Sequence, residues 1–247
     1  MSARPAREAP REDRAPEILR LLKREYRGAT MALRYSSPLE CLVAVILSAQ
    51  CTDARVNEVT RGLFQKYRSA EDYLAVPESE LAADIRPTGF FNQKAKSIRG
   101  TCRMIVEEYG GRVPDTMADL IRLPGVARKT ANIVQGNVYP EKAARDPDKG
   151  VAVDTHVKRL SNRLGFSAES DPSKIERDLM DLLPRKEWFP ITYVLIEHGR
   201  AVCKAPKPRC EECVVERLCP ASRLAASGDP GGRAATPGEA RPRRRRA

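Results

Sequence analysis

The sequence predicts an all-α protein, and three features of its patterning support that fold class. Apolar residues recur at helical spacing through most of the chain, whereas the alternation typical of strands is nearly absent; residues 151–153 are too few to count. The stretches between the periodic segments are short and contain proline and glycine, as expected for turns between helices. No apolar run approaches the roughly 18–20 residues that a membrane helix needs. A hydrophobic content of 41% also excludes a wholly disordered chain.

Proline residues and apolar spacing place the individual helices. Pro16 opens the first, whose inward face includes Ile18 and Leu22. Pro38 opens the second, over residues 39–48, which is apolar nearly all round and is therefore expected at the centre of the fold. Further helices are predicted over 53–67, 78–85, 92–109, 116–121, 129–138, 155–164, 173–182 and 189–202.

Both termini are predicted to be disordered. Residues 1–15 are rich in Arg, Pro and Glu, and residues 221–247 are rich in Gly, Ala, Pro and Arg, ending in a polybasic run. The whole chain carries a formal net charge of +11. This favours a polyanionic partner, nucleic acid before a membrane surface, because no amphipathic anchor accompanies the charge. Since the N-terminus lacks the apolar segment of a secretory signal, we expect a cytoplasmic, nucleoid-associated protein.

A ten-residue segment, Leu-Pro-Gly-Val-Ala-Arg-Lys-Thr-Ala-Asn at 123–132, joins two predicted helices. Pro124 and Gly125 end one helix, and the next begins near Ala127, so unpaired backbone N–H groups point out of one small loop. We expect Gly125, without a Cβ, to let a phosphate approach the backbone, where the helix N-terminus adds positive potential. An ordinary two-helix turn is the alternative. The residues expected to contact a nucleic acid backbone here are Gly125, Val126, Ala127, Arg128 and Thr130.

Lys129 lies in the first turn of the helix that follows. A cation there is disfavoured by the helix dipole, by about 0.3–1 kcal/mol, and by the neighbouring Arg128. Both effects are expected to lower the pKa of the amine, as a nucleophile requires; an exposed lysine that merely contacts DNA is the alternative. Asp154 begins another helix, as its N-cap, and would be a rigid, ionised charge for a nearby cation. The sequence does not place Asp154 against Lys129.

The chain has seven cysteines. Cys41, Cys51 and Cys102 lie in apolar helical context and are expected to be buried hydrophobic residues. The other four follow the pattern C-x6-C-x2-C-x5-C: Cys203, Cys210, Cys213 and Cys219.

This four-cysteine loop has too few apolar residues to hold itself together, and a metal is the expected cross-link. Four thiolates suit tetrahedral zinc and a four-iron cluster equally well. Lys204, Lys207 and Arg209 lie on the same loop and suggest a platform that presents cations to phosphates. Simple solvation of these charges is the alternative.

Together these motifs resemble those of the endonuclease III family of DNA glycosylases, in the helix-hairpin-helix superfamily. The resemblance spans about residues 16–220. Besides the hairpin and the cysteine loop, it rests on Leu-Ser-Ala-Gln-Cys-Thr-Asp at 47–53, Val-Asp-Thr-His at 153–156 and His-Gly-Arg at 198–200. It implies a [4Fe-4S] cluster on the four cysteines. It also implies a groove for duplex DNA between a six-helix barrel and an iron–sulfur domain. The implied boundaries are 31–139 for the barrel, with the helix-hairpin-helix at about 116–138, and 16–30 with 140–220 for the iron–sulfur domain.

The resemblance further implies a bifunctional glycosylase and AP lyase. Lys129 would attack C1′ of a flipped damaged nucleotide, and β-elimination would then cut the strand. Asp154 would keep the amine deprotonated or stabilise the cationic transition state. Gln50 would fill the gap left by the flipped base, and Phe90 stands at the family's wedge position. The implied substrates are oxidised or saturated pyrimidines in duplex DNA, bound by a monomer.

Three departures from the family pattern bear on specificity. Ala127 stands where a second hairpin glycine is usual, which alters the expected grip on phosphate. Phe90 replaces a wedge that is often leucine, which would shift the preference for the opposite base. Residues 138–150 form a longer, charged segment, interpreted as a surface insertion at the domain junction.

Two other functions compete with this interpretation. An adenine glycosylase acting on mismatches is disfavoured because Lys129 occupies the nucleophile position and because little chain follows the cysteine loop. A non-catalytic DNA-binding module is disfavoured because it would need neither Lys129 nor Asp154.

Overall fold

The computed structural model describes residues 6–224, which contain twelve α-helices, four short 3-10 helices and no β-strand. The prediction of an all-α protein is confirmed. The helices are α1 Arg11–Glu25, α2 Pro38–Leu47, α3 Asp53–Lys66, α4 Ala70–Ala75, α5 Glu78–Asp84, α6 Phe91–Tyr109, α7 Met117–Arg122, α8 Arg128–Val138, α9 Pro140–Arg145, α10 Thr155–Arg163, α11 Pro172–Leu182 and α12 Trp188–Ala201.

The helices pack around two hydrophobic clusters. The first lies within α2 to α8, and the second is built by α1, α10, α11 and α12 with Val215 and Leu218 from the end of the cysteine loop. Helix α2 is the centre of the first cluster, since every residue from Cys41 to Leu47 is buried. Its all-round apolar sequence therefore reflects its position, as expected for a helix surrounded by others.

Local side-chain caps explain where several helices begin. Ser37 accepts a hydrogen bond from the Glu40 amide at the start of α2, and Thr52 does the same for Arg55 in α3. At α4, Ser69 and Asp72 form a reciprocal capping box. This six-residue helix was not predicted from the sequence.

The prediction that residues 1–15 are disordered is wrong for the described part, residues 6–15. Helix α1 begins at Arg11 instead of Pro16. Arg14 is buried, and its guanidinium donates to the carbonyls of Leu164 and Leu218 at 2.7 and 3.0 Å. Arg7 pairs with Glu216 at 3.2 Å. The segment is ordered by arginine contacts with distant backbone, which a count of apolar residues does not reveal; residues 1–5 lie outside the described part.

The segment 138–150 is not simply a surface insertion. It contains α9, and both Lys149 and Gly150 are buried at the junction of the two clusters. The Asp146 carboxylate accepts a hydrogen bond from the Met117 amide at 2.7 Å. Charge alone suggested exposure, but these charged residues bind backbone groups of neighbouring helices.

The predicted disorder of the C-terminal tail begins too early at residue 221. Ser222 is buried, and its hydroxyl donates to Glu216 at 2.6 Å. The rest of the polybasic tail, residues 225–247, lies outside the described residues. Among the helices of residues 6–224, none combines the length and apolar character that crossing a membrane requires.

Candidate functional site

The turn between α7 and α8 is built on Gly125, whose φ of 78° is left-handed. A Cβ at this position would lie 2.7 Å from the Cβ of Ser97 on α6. The side chain of Val126 is buried in the first cluster, and its amide donates to Leu123 at 3.0 Å. Glycine is therefore required by the turn and by packing against α6, and the approach of a phosphate to its backbone stays a prediction.

Helix α8 begins with an uncapped first turn. Its N-cap residue, Ala127, has no side chain that could accept from the backbone, so the amides of Arg128, Lys129 and Thr130 have no partner within the helix. Lys129 is the second residue of α8 and is exposed. The three N–H groups and the helix dipole make this turn a site for an anion such as a phosphate.

A buried carboxylate on α11 holds the same turn. Glu176 accepts from Nε of Arg128 at 2.8 Å and from Nδ2 of Asn132 at 3.0 Å. The side-chain oxygen Oδ1 of Asn132 accepts from the Gly150 N–H at 2.9 Å. A Cβ on Gly150 would collide with Glu176, so the chain passes close to the carboxylate here. Arg128, expected to contact DNA, is thus paired internally.

Asp154 caps α10, as predicted, with Oδ1 accepting from the Val157 amide at 2.8 Å. It ends the non-helical stretch 150–154, whose start is bonded to Asn132 of α8. His156 follows two residues after Asp154, and its Nδ1 atom lies 3.2 Å from Nη2 of Arg159. Burial lowers the pKa of His156, against the opposing charge of Asp154, so this imidazole is neutral at neutral pH.

Gln50 and Phe90 share an unusual backbone conformation. In residues 6–224 they are the two non-glycine residues with positive φ, at 53° and 48°. The phenyl ring of Phe90 is 64% exposed, although large apolar side chains are normally buried. Backbone strain of this kind costs about 1–3 kcal/mol per residue and is retained where surrounding structure holds it. Two loops in the part of the fold built around the first hydrophobic cluster thus present exposed side chains on strained backbone.

The four clustered cysteines line a single pocket, which contains about 410 Å³ of empty space and opens partly to solvent. All four are free thiols of intermediate exposure. Burial raises the pKa of Cys213 to about 12 and that of Cys219 to about 11, and the remaining cysteine sulfurs act in the same direction. Within residues 6–224, no group of three or more His, Cys, Asp or Glu side chains is arranged around a single metal-ion position.

A buried histidine lies behind the cysteine pocket. Nε2 of His198 is 3.5 Å from the sulfur of Cys213, and Nδ1 is 2.9 Å from the hydroxyl of Tyr26. Burial lowers the pKa of His198 to about 4, so the ring is neutral. If the Tyr26 hydroxyl donates to Nδ1, the proton of the neutral ring is on Nε2 and points to the cysteine sulfur.

The three cations of the cysteine loop differ in role. Lys204 and Lys207 are exposed. Arg209 pairs with Glu212 at 2.9 Å and also donates to the carbonyl of Ala201, so its guanidinium holds the loop against the end of α12.

Sequence reasoning missed two arginines on α10 that bind this loop. Arg159 donates to the carbonyl of Cys203 at 3.0 Å. Arg163 donates to the sulfur of Cys203 at 3.2 Å and to the carbonyl of Lys204 at 2.8 Å. Their spacing of four residues, on one face of a helix that begins at Asp154, was the available signal.

Comparison with known protein families matches residues 43–185 to the model of the HhH-GPD superfamily, described as base excision DNA repair proteins. Among named relatives, endonuclease III of Synechocystis sp. is 52% identical over 215 residues, which cover 87% of this chain and 95% of the relative. Endonuclease III of Escherichia coli K12 is 37% identical over 203 residues, which cover 82% of this chain and 93% of the relative.

Among solved structures, the fold matches a trapped covalent intermediate of endonuclease III with DNA. The TM-score is 0.81 at 39% sequence identity, with 87% of this chain and 98% of the other covered. The family match over residues 43–185 includes the hairpin and the Val-Asp-Thr-His segment. The chain belongs to the endonuclease III family, within the HhH-GPD superfamily of base excision DNA repair proteins.

Proposed function

We propose that the chain is a bifunctional DNA glycosylase that removes oxidised pyrimidines from duplex DNA through Lys129 and then cuts the strand. The observation that carries this proposal is an exposed lysine in the uncapped first turn of α8, directly after the hairpin. Backbone amides there bind a phosphate, which brings the attached sugar within reach of the amine. The family membership and the DNA complexes of its relatives support the same substrate.

The chemistry assigned to Lys129 is a substitution followed by an elimination. The neutral amine forms a bond to C1′ of the flipped nucleotide, and the N-glycosidic bond breaks with its electron pair passing to the base, which leaves protonated. Ring opening gives an iminium that acidifies the C2′ proton. Loss of that proton expels the 3′ phosphate by β-elimination, and hydrolysis of the imine returns the free amine.

Asp154 is assigned to stabilise the cation that forms at the sugar. Its carboxylate is held by the Val157 amide. The stretch that carries it starts at Gly150, which is bonded to Asn132, three residues beyond Lys129 on α8. Four extended residues span about 14 Å at most, so the acid and the amine belong to one anchored region. A fixed carboxylate favours charge development without reorganising.

The DNA contacts assigned to this chain come from the parts of the fold around both hydrophobic clusters. The first-turn amides of α8 bind phosphate, while the strained loops place Gln50 and Phe90 towards the base stack. Lys204 and Lys207 add exposed positive charge on the cysteine loop. Arg209 and Arg128, which are paired internally, position the loop and α8 and do not meet DNA in this assignment.

The four cysteines Cys203, Cys210, Cys213 and Cys219 are assigned to hold a [4Fe-4S] cluster. Four free thiols around one pocket are the donor set that such a cluster requires. When bound, the cluster supplies a cross-link for a loop with little apolar surface of its own. The imidazole of His198 and the guanidinium of Arg163 lie where they donate hydrogen bonds to cysteine sulfurs.

Borohydride trapping tests the central assignment. With duplex DNA that contains an oxidised pyrimidine, the holoenzyme is expected to form a covalent adduct that resists denaturation. Lys129→Gln should abolish the adduct and leave DNA binding nearly unchanged. Lys186→Gln, which changes an exposed lysine of the 3-10 helix Arg185–Glu187, is the matched control and should trap normally. Undiminished trapping by Lys129→Gln would remove Lys129 from the role.

A further inference from the structure

A buried lysine connects the two strained loops. Lys94, on the second turn of α6, is only 5% exposed. Its Nζ donates to the carbonyl of Leu47 and to the carbonyl of Thr88, each at 2.8 Å. Since both oxygens bind one nitrogen, they lie no more than twice that distance apart. One ammonium group therefore holds two segments that are far apart in sequence.

Each of these carbonyls belongs to the last residue of a helix. Leu47 ends α2, and Thr88 ends the 3-10 helix Arg86–Thr88. Carbonyls at helix ends have no partner within the helix and lie at the negative end of its dipole, so a cation stabilises both ends together. Lys94 is consequently the cap that two helices share.

The two capped helices lead directly into the residues with strained backbone. Gln50 follows Leu47 by three residues, and Phe90 follows Thr88 by two. Left-handed backbone costs about 1–2 kcal/mol per residue in L-amino acids, so neighbouring structure must hold it. The Lys94 contacts fix the base of each loop, and the Lys94 amide also donates to the carbonyl of Phe90 at 3.0 Å.

A purely structural role does not account for a lysine at this position. In the ion pairs of residues 6–224, no carboxylate is paired with Lys94, and burial lowers the pKa of its amine while the neighbouring Cys51 sulfur opposes that change. Burying a charge that has no counter-ion is unfavourable, and this cost offsets part of what the two capping hydrogen bonds contribute. The two carbonyls that accept from Lys94 stand directly before the loops of Gln50 and Phe90, and holding these two loops explains the lysine.

We infer that Lys94 is a positioning residue that makes the Gln50 loop and the Phe90 loop engage DNA as one unit. The inference rests on the proposed function. A shift of either loop breaks one of the two hydrogen bonds on the same ammonium group, so filling the gap of a flipped base and wedging the opposite strand are coupled. Lys94 does not touch the sugar and takes no part in the substitution by Lys129.

Arg99 provides a matched control on the same helix. Its Nη1 also donates to two backbone carbonyls, that of Tyr73 in α4 and that of Val76 at the C-terminal end of this helix. Neither Gln50 nor Phe90 belongs to this segment. Arg99→Met thus removes the same kind of contact from α6 without touching the strained loops.

The experiment compares single-turnover trapping on two substrates, one with the lesion in a fully paired duplex and one with it in a single-nucleotide bulge. Only the fully paired duplex requires both loops to open the base stack. Lys94→Met should slow trapping on the paired duplex at least tenfold, equivalent to about 1.4 kcal/mol in the barrier, and on the bulge less than threefold. Arg99→Met should leave the ratio of the two rates unchanged, and Lys94→Arg should restore most of it.

Fluorescence of 2-aminopurine opposite the lesion gives a second readout, expected to rise with wild type and much less with Lys94→Met. If Lys94→Met does not fold, Lys94→Gln, which places an uncharged amide on a shorter side chain, is used in its place. Equal losses on both substrates, or the same change in ratio with Arg99→Met, would overturn the inference. Failure of the wild type to trap at all would instead overturn the proposed function.

Discussion

The Nε atom of Arg128 and the Nδ2 atom of Asn132 are held by the two oxygens of one carboxylate, Glu176, at 2.8 and 3.0 Å. These two residues lie on either side of Lys129 in the first turns of α8. The carboxylate comes from α11, in the other hydrophobic cluster. The orientation of the proposed nucleophile therefore depends on a contact between helices of the two hydrophobic clusters.

Glu176→Gln tests this dependence. A neutral amide accepts at one atom only, so one partner loses its acceptor, at a cost of about 1–3 kcal/mol in the free energy of unfolding. Trapping should slow severalfold while DNA affinity changes little. Glu187→Gln is the control, because Glu187 is also buried and pairs with Lys23 at 2.8 Å away from α8. Equal trapping rates for the two variants would show that Glu176 supports stability only.

Lys149 predicts a pH dependence of stability. Burial lowers its pKa to about 8, with Arg185 and Arg128 acting in the same direction and Asp146 and Glu176 opposing. The unfolded lysine has a pKa of about 10.4, so between these values the unfolded state binds more protons, and stability rises with pH. Relative to Lys149→Met, the wild type should gain up to about 3 kcal/mol between pH 8 and 10.4.

Urea titrations of wild type and Lys149→Met at several pH values measure that difference, since the other titrating groups cancel between the two proteins. The difference should be constant below pH 8, where both folded and unfolded lysine are charged. Parallel stability curves across the alkaline range would show that Lys149 titrates normally.

Phe90 predicts a conflict between stability and function. Its backbone is left-handed and its ring is mostly exposed, so Phe90→Gly should relieve strain and raise the free energy of unfolding by about 1 kcal/mol. The same variant should weaken binding to lesion-containing duplex. Phe90→Ala removes the ring but keeps the strain, so it should weaken binding without the gain in stability. Thermal unfolding and binding titrations on both variants separate the two effects.

Cys213→Ser tests the cluster assignment. Loss of one of four ligands should give a colourless protein with little iron and a lower thermal midpoint. Cys102→Ser is the control, because Cys102 is fully buried in the first cluster and its replacement should lower stability while iron content is retained. A stable Cys213→Ser protein with full iron content, or a wild type that contains only zinc, would contradict the assignment.

Much of this fold was predictable from local signals. The N-cap at Asp154, the turn at Gly125 and the helical periods depend on neighbouring residues. The ends of α8, α10 and α12 lie at most one residue from their predicted positions. The C-x6-C-x2-C-x5-C spacing likewise predicts a metal-binding segment. The six-residue helices α4 and α9 were not predicted, whereas α7, of the same length, was.

The amino-acid sequence by itself determined the fold class, the hairpin, the candidate nucleophile and the four thiols, because each is encoded within a few consecutive residues. The tertiary structure alone decided that Glu176 holds the first turns of α8, that arginines order residues 6–15, and that Lys94 joins two loops. Most of these contacts link residues more than forty positions apart, through single hydrogen bonds to backbone or carboxylate oxygens. No spacing or composition records such a contact, since it forms only when packing brings the partners together.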